Sequence, residues 1–193
     1  MASSARITPV TAQQRKERER VERRRAIVGA ARALAEAEGW EAVTTRRLAE
    51  LIEYSQPVLY SHFSGKDAII AAVAVEGFAE LAERLAGADG LAGLAAAYTG
   101  FAQDNPACYD AMFTLSAPLA FDAPDTPQPL RDAFTALRDV LAPLRPQDDP
   151  DVFTEVVWGA LHGQVLLARG GRLPEARRDA RLAALVELAG ARP

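Results

Sequence analysis

Apolar residues recur along this chain at helical spacing, and no β-branched run alternates with polar residues over the length of a strand. Ile27, Ala30, Ala31 and Leu34 open the pattern at intervals of 0, 3, 4 and 7. Before them, residues 13–25 mix charges of both signs, with Glu19 four residues ahead of Arg23, a pairing that supports a helix. Gly39 closes this first helix as a C′ residue. Thr44 offers an N-cap to a second helix near 45–52, with Leu48, Leu51 and Ile52 on its apolar side. Glu53 and Tyr54 leave only a tight connection before Ser55 caps a third helix, whose first turn tolerates Pro57 because its N–H groups are unsatisfied there anyway. Phe63, Ser64 and Gly65 break that helix, and Ser64 and Asp67 have capping-box spacing for a fourth. Its stripe runs through Ile70, Val73, Gly77, Leu81 and Leu85 to Gly87 and Gly90.

The remainder predicts helices near 91–104, 106–116, 128–143, 150–169 and 175–190. A loop over 117–128 holds Pro118, Pro124 and Pro127, and the stretches PLRPQDDP and RGGRLP separate the later helices. The predicted fold is all-α, with about nine helices. Residues 1–20 are expected to form a disordered or frayed helical basic arm, 21–67 a three-helix unit, and 68–193 a second helical unit.

Charge sharpens this division. The net charge is −4, yet residues 1–67 carry 12 Lys+Arg against 9 Asp+Glu, and residues 68–193 carry 10 against 17. The first third suits a polyanion and the rest does not. The single cysteine, Cys108, excludes an intrachain disulfide and reads as a buried small hydrophobe. No apolar run approaches the roughly 18–20 residues that span a bilayer, and no apolar segment follows the arginine-rich N-terminus as in a secretory signal, so a cytoplasmic chain without a membrane partner is expected.

Three short helices, the last two joined by a tight turn, describe a helix-turn-helix. On the third helix Leu59 and Phe63 share a face, positioned to pack on Leu48 and Ile52. Pro57, Val58 and Ser61 face away, flanked by Tyr60 and His62, and this compact outward side fits a major groove about 12 Å wide. Gln56 can donate to and accept from an adenine edge, while Val58 and Pro57 can touch thymine methyls. Tyr60 and His62 can donate to phosphate, Thr45 and Arg46 can grip the backbone, and Lys66 sits in the first turn of the fourth helix, where the dipole favours anions. The expected reading head is therefore Thr45, Arg46, Ser55, Gln56, Pro57, Val58, Tyr60, Ser61, His62 and Lys66. The bland alternative is a solvated helix surface. For the Arg15–Arg25 run that alternative weighs equally with an arm reaching the minor groove, since Glu17, Glu19 and Glu22 dilute it.

Residues 24–70, through TTRRLAELIEYSQPVLYSHFSGKDAI, resemble the N-terminal domain of the TetR family of bacterial transcriptional regulators. The segment LYSHF followed by GK is the most distinctive part. The resemblance implies a homodimer on a palindromic double-stranded operator, with C-terminal helices supplying a small-molecule pocket and the dimer interface. It departs at Glu53, where the family usually has glycine in the turn. A left-handed backbone at that position costs a non-glycine residue roughly 1–2 kcal/mol. WGALHG, residues 158–163, resembles the tryptophan–histidine–glycine signature of one C-terminal subtype of the family.

The last two helices carry the expected dimer interface: Phe153, Val156, Val157, Gly159, Ala160 and Gly163 on one, and Leu182, Leu185, Val186 and Ala189 on the other. Gly159 and Gly163, four apart, permit close helix approach. Tyr98, Phe101, Tyr109, Met112, Phe113, Phe134, Trp158 and His162 are candidate pocket residues for a mostly apolar or aromatic effector. Core packing is the competing reading for all of them, and for His162 and Trp158 the stronger one. Catalytic motifs are missing: the two histidines lie a hundred residues apart, and the sequence has no phosphate loop, no HExxH and no G-x-S-x-G elbow. No enzymatic activity, metal or cofactor is expected. The function read from the sequence is a DNA-binding regulator, most simply a ligand-released repressor. A helical adaptor or dimerisation protein without DNA reading, or a small-molecule-sequestering protein, stands as the alternative.

Overall fold

The structure, a computed structural model, describes residues 11–115 and 123–190. Nine α-helices and no strand occur among the described residues. Contacts divide the chain into two compact units, 1–69 and 70–193.

The first unit holds α1 (Ala12–Glu38), α2 (Thr45–Leu51) and α3 (Gln56–His62). Residues 1–10 of the expected arm lie outside the described residues. Residues 12–20 of that arm form the regular first turns of α1. A capping box at Thr11 starts the helix: its hydroxyl accepts from the Gln14 N–H at 3.2 Å, and the Gln14 side chain accepts from the Thr11 N–H at 2.9 Å. Sparse ion pairs such as Glu19–Arg23, 3.9 Å apart, continue along the exposed stretch. The buried stripe starts at Ile27 and Val28, and Gly39 ends the helix at φ 83°, its N–H bonded to the Ala35 carbonyl. A 3-10 turn over Trp40–Ala42 leads to Thr44, whose side chain caps α2 through the Arg47 N–H.

The turn between α2 and α3 is a Schellman motif. The Tyr54 N–H reaches the Ala49 carbonyl at 2.9 Å, and the Glu53 N–H reaches that of Glu50 at 3.4 Å. Glu53 stands at C′ with φ 55°, so this non-glycine residue does occupy the left-handed region.

Helix α4 (Lys66–Ala86) begins in the first unit and runs on into the second. It opens one residue later than the capping-box spacing implies. The Gly65 carbonyl accepts from the Ile69 N–H, which places Gly65 rather than Ser64 before the first helical residue. The second unit adds α5 (Gly90–Asp104), α6 (Pro106–Asp110), α7 (Gln128–Leu141), α8 (Pro150–Arg169) and α9 (Arg178–Gly190). The sequence predicts a single helix over 106–116; instead, α6 passes at Ala111 into one turn of π-helix ending at Leu115. Part of the proline-rich loop, residues 116–122 with Pro118, lies outside the described residues. Asp149 caps α8 by accepting from the N–H groups of Asp151 and Val152. Gly77 marks the tightest approach in this unit. A Cβ there would lie 2.5 Å from Cys108 Sγ and 2.7 Å from Met112 Sδ, so α4 rests directly on the α6 segment and Cys108 is fully buried.

Candidate DNA-reading face and effector cavity

Leu48, Leu59 and Phe63 are buried, and they fix α3 on α2 from beneath. A second restraint comes from Arg24 of α1. Its guanidinium donates to the His62 carbonyl at 3.2 Å and lies 4.2 Å from the centre of the Phe63 ring. A cation is thereby set against the C-terminal end of α3, where the helix dipole favours one. The sequence reading missed Arg24, because a cation in helix one at a distance from α3 leaves no local signal to find.

Opposite these anchors, Ser55, Gln56, Pro57, Tyr60 and Ser61 are exposed, and Val58 and His62 are half-exposed. The Tyr60 hydroxyl lies 3.4 Å from Thr45 Oγ1, which brings the predicted phosphate-gripping end of α2 and the flank of α3 to one place. Arg46 is exposed beside Glu50. Ser61 turns its hydroxyl inward to the Val58 carbonyl at 2.6 Å, so it offers oxygen lone pairs and methylene surface outward. Lys66 is also partly engaged: its ammonium donates to the Trp40 carbonyl and is half-buried. Burial and the nearby Arg20, Arg23 and Arg24 lower the pKa of His62, which favours its neutral ring with a single N–H donor.

In the second unit the aromatic set forms a packed cluster. Tyr98, Phe101, Tyr109 and Met112 are buried, and Phe113 lies 4.7 Å from Tyr109 and 4.9 Å from His162 between ring centres. The space left beside Phe113, Phe134 and Trp158 is about 10 Å³, no more than one water's worth. In this structure the rings of the set interlock in edge-on and tilted pairs around little free space, with Phe113, Phe134, Trp158 and His162 half-buried.

A directed hydrogen-bond chain threads that core. The Trp158 indole N–H donates to the Tyr98 oxygen at 3.0 Å, Tyr98 and Tyr109 share a bond of 2.9 Å, and Tyr109 meets His162 Nδ1 at 2.6 Å. Trp158 can only donate. If the Tyr98 proton points to Tyr109 and the Tyr109 proton to Nδ1, every group is satisfied. The opposite sense would leave the buried Tyr98 O–H without an acceptor. His162 thus accepts at Nδ1 and carries its proton on Nε2. Burial lowers its pKa, raises that of Tyr109 and pushes Tyr98 up to about 12.

Apart from this cluster, one cavity of about 340 Å³ is lined from α5, α8 and α9 by residues including Thr99, Ala102, Val165, Arg178, Arg181 and Leu182. On the expected dimer helices, Val157 and Ala189 are buried at the floor of a groove that Phe153, Val156, Ala160, Leu185 and Leu188 also line, and Thr154, Leu161 and Val165 of α8 face the core. Val156, at 64% exposure, and Gly159 remain open, and Val152, Leu166, Leu167 and Leu188 join them as exposed apolar residues.

Among the described residues no helix is long and apolar enough to cross a membrane, and no group of three or more His, Cys, Asp or Glu side chains could hold a metal.

A buried base that presents a short helix outward defines a helix-turn-helix DNA-binding protein. Residues 27–73 match the family model described as bacterial regulatory proteins, tetR family, and residues 91–189 match the tetracyclin repressor-like C-terminal domain. The uncharacterized HTH-type transcriptional regulator YobS of Bacillus subtilis (strain 168) is 36% identical over 92 residues, covering 44% of this chain and 48% of YobS, just under half the relative's length. The uncharacterized HTH-type transcriptional regulator Rv0681 of Mycobacterium tuberculosis is 27% identical over 165 residues, 81% of this chain and 75% of the relative. A solved protein of unknown function from Rhodococcus sp. RHA1 shares the fold, with a TM-score of 0.69 and 23% identity over 86% of this chain and 93% of that one. The chain belongs to the TetR family of DNA-binding transcriptional regulators.

Proposed function

We propose that this regulator is a repressor that sits as a homodimer on a palindromic operator and leaves it when a small molecule with a mostly apolar body binds the C-terminal unit. The observation that carries the reading is the outward face of α3, where Gln56, Pro57, Tyr60 and Ser61 stand exposed above the buried Leu59 and Phe63. Thr45, Arg46 and Lys66 flank it for phosphate, with His62 as a neutral donor. Dimerisation is supported by the exposed apolar run on α8 and by Gly159 and Gly163, where an added Cβ would meet nothing within 4 Å of its own chain. Glycine at those two positions is not demanded by internal packing, and a second helix approaching closely would use it. The cavity among α5, α8 and α9 supports an effector. Release requires that the effector bind better to the state that does not fit the operator.

The test is binding of the purified chain to its own upstream DNA across a salt series. A palindrome should be protected, with affinity falling as salt rises. Tyr60→Phe should weaken binding to all sequences alike, and Gln56→Ala should relax preference at one base pair by about 1–3 kcal/mol. A change of preferred sequence on Tyr60→Phe would refute this division between phosphate and base contacts, and no retardation at low salt would refute DNA reading by this face.

A further inference from the structure

We infer that the cavity among α5, α8 and α9 is built for an organic anion, a carboxylate carried on an apolar body. Two guanidinium groups line it without a carboxylate partner among the described residues. Arg178 donates to Thr99 Oγ1 at 3.2 Å, a hydroxyl whose own proton goes to the Ala95 carbonyl at 2.8 Å. Arg181 donates through one terminal nitrogen to the Pro174 carbonyl at 2.7 Å, while its Nε is buried and meets no acceptor. It is the only buried side-chain nitrogen or oxygen among the described residues left in that condition. A buried donor without a partner carries a desolvation cost, and the two guanidinium groups beside the cavity match a carboxylate in charge and planar geometry.

The rest of the lining fits the other end of such a molecule. Val165, Leu182 and neighbouring alanines make the wall predominantly apolar, and the volume of about 340 Å³ falls at the small end of ligand sites. The countercharges do not cancel the arginines. Arg169 is already paired with Asp110 at 2.7 Å, and Glu175, the one acidic residue of the lining, accepts from Gln103 at 3.3 Å. A cationic ligand would therefore face more guanidinium than carboxylate, and an uncharged one could accept a hydrogen bond but would leave the guanidinium charge uncompensated.

The occupant's role as effector rests on the repressor reading, but its binding does not, so the experiment reads binding without DNA. Octanoate is titrated calorimetrically into the full chain, with octan-1-ol as its uncharged counterpart. Octanoate should bind once per chain, and the alcohol should bind weaker by about tenfold or more. Arg178→Gln and Arg181→Gln should each weaken octanoate by about tenfold or more, whereas Arg177→Gln, outside the lining, should leave it unchanged. Equal affinity for acid and alcohol, no octanoate binding, or wild-type affinity in both variants overturns the inference. If a variant proves unfolded by circular dichroism, the acid–alcohol comparison on the unaltered chain decides alone.

Discussion

Tyr109 joins two parts of the core that would otherwise each hold an unsatisfied group. Its oxygen accepts from Tyr98 and its proton goes to His162. Tyr109→Phe should therefore cost about 1–3 kcal/mol of stability in a denaturant titration, more than the loss of one exposed hydroxyl. Burial of His162, the last member of that hydrogen-bond chain, sets a pH response. His162 is held neutral, with a folded pKa below the ordinary 6.5. The unfolded chain consequently binds the proton first as pH falls, and stability present above 6.5 is lost between that value and the lower folded pKa. Thermal melts through this interval should show the loss. His162→Gln, which keeps an acceptor for Tyr109 and removes the titration, should flatten it. At this scale the sequence pointed to Trp158 and His162 four apart on one helix, but the partners Tyr98 and Tyr109 come from other helices, and no local spacing announces them. The arginines of the cavity left a faint trace: five of the ten basic residues that follow residue 67 fall from Arg169 to Arg181, inside an otherwise acidic part of the chain.

Helices and their ends were the most legible part of the chain, because a cap is a local event. Thr44 and Gly39 each act within four residues of their own position. The misplacements arise where two local solutions compete, as at Ser64 against Gly65, or where packing overrides the repeat, as in the π-turn that places Met112 under Gly77. Two substitutions test these ends and contacts. Glu53→Gly removes a strain of roughly 1–2 kcal/mol and returns roughly 0.5–1 kcal/mol as unfolded-state entropy, so it should raise the stability of the first unit by about 0.5–1 kcal/mol in chemical denaturation. The Schellman bonds need only backbone groups, so operator affinity should be unaffected. Gly77→Ala acts oppositely. Its methyl would meet Cys108 and Met112 well inside contact distance, and overpacking of this kind should cost about 1–3 kcal/mol.

For the molecule as a whole, the all-helical order was legible in the sequence, but whether the aromatic side chains pack together or border open space was not. Aromatic side chains at helical spacing are compatible with either, and only their ring-to-ring packing decides. The faces of α8 illustrate the same point: an all-round apolar helix has one side for its own unit and another for something else. Val156 belongs to the second side, at 64% exposure. Val156→Glu should leave the fold intact and yield a monomer by light scattering, with operator retardation lost in parallel.

The two tryptophans fall one to each unit: Trp40 in the 3-10 turn, its carbonyl accepting from Lys66, and Trp158 at the head of the tyrosine chain. Each indole is thus a built-in fluorophore for its own half. Replacing either with phenylalanine leaves a single emitter, with which melting of the reading half or ligand entry beside α8 can be followed optically without attaching a dye.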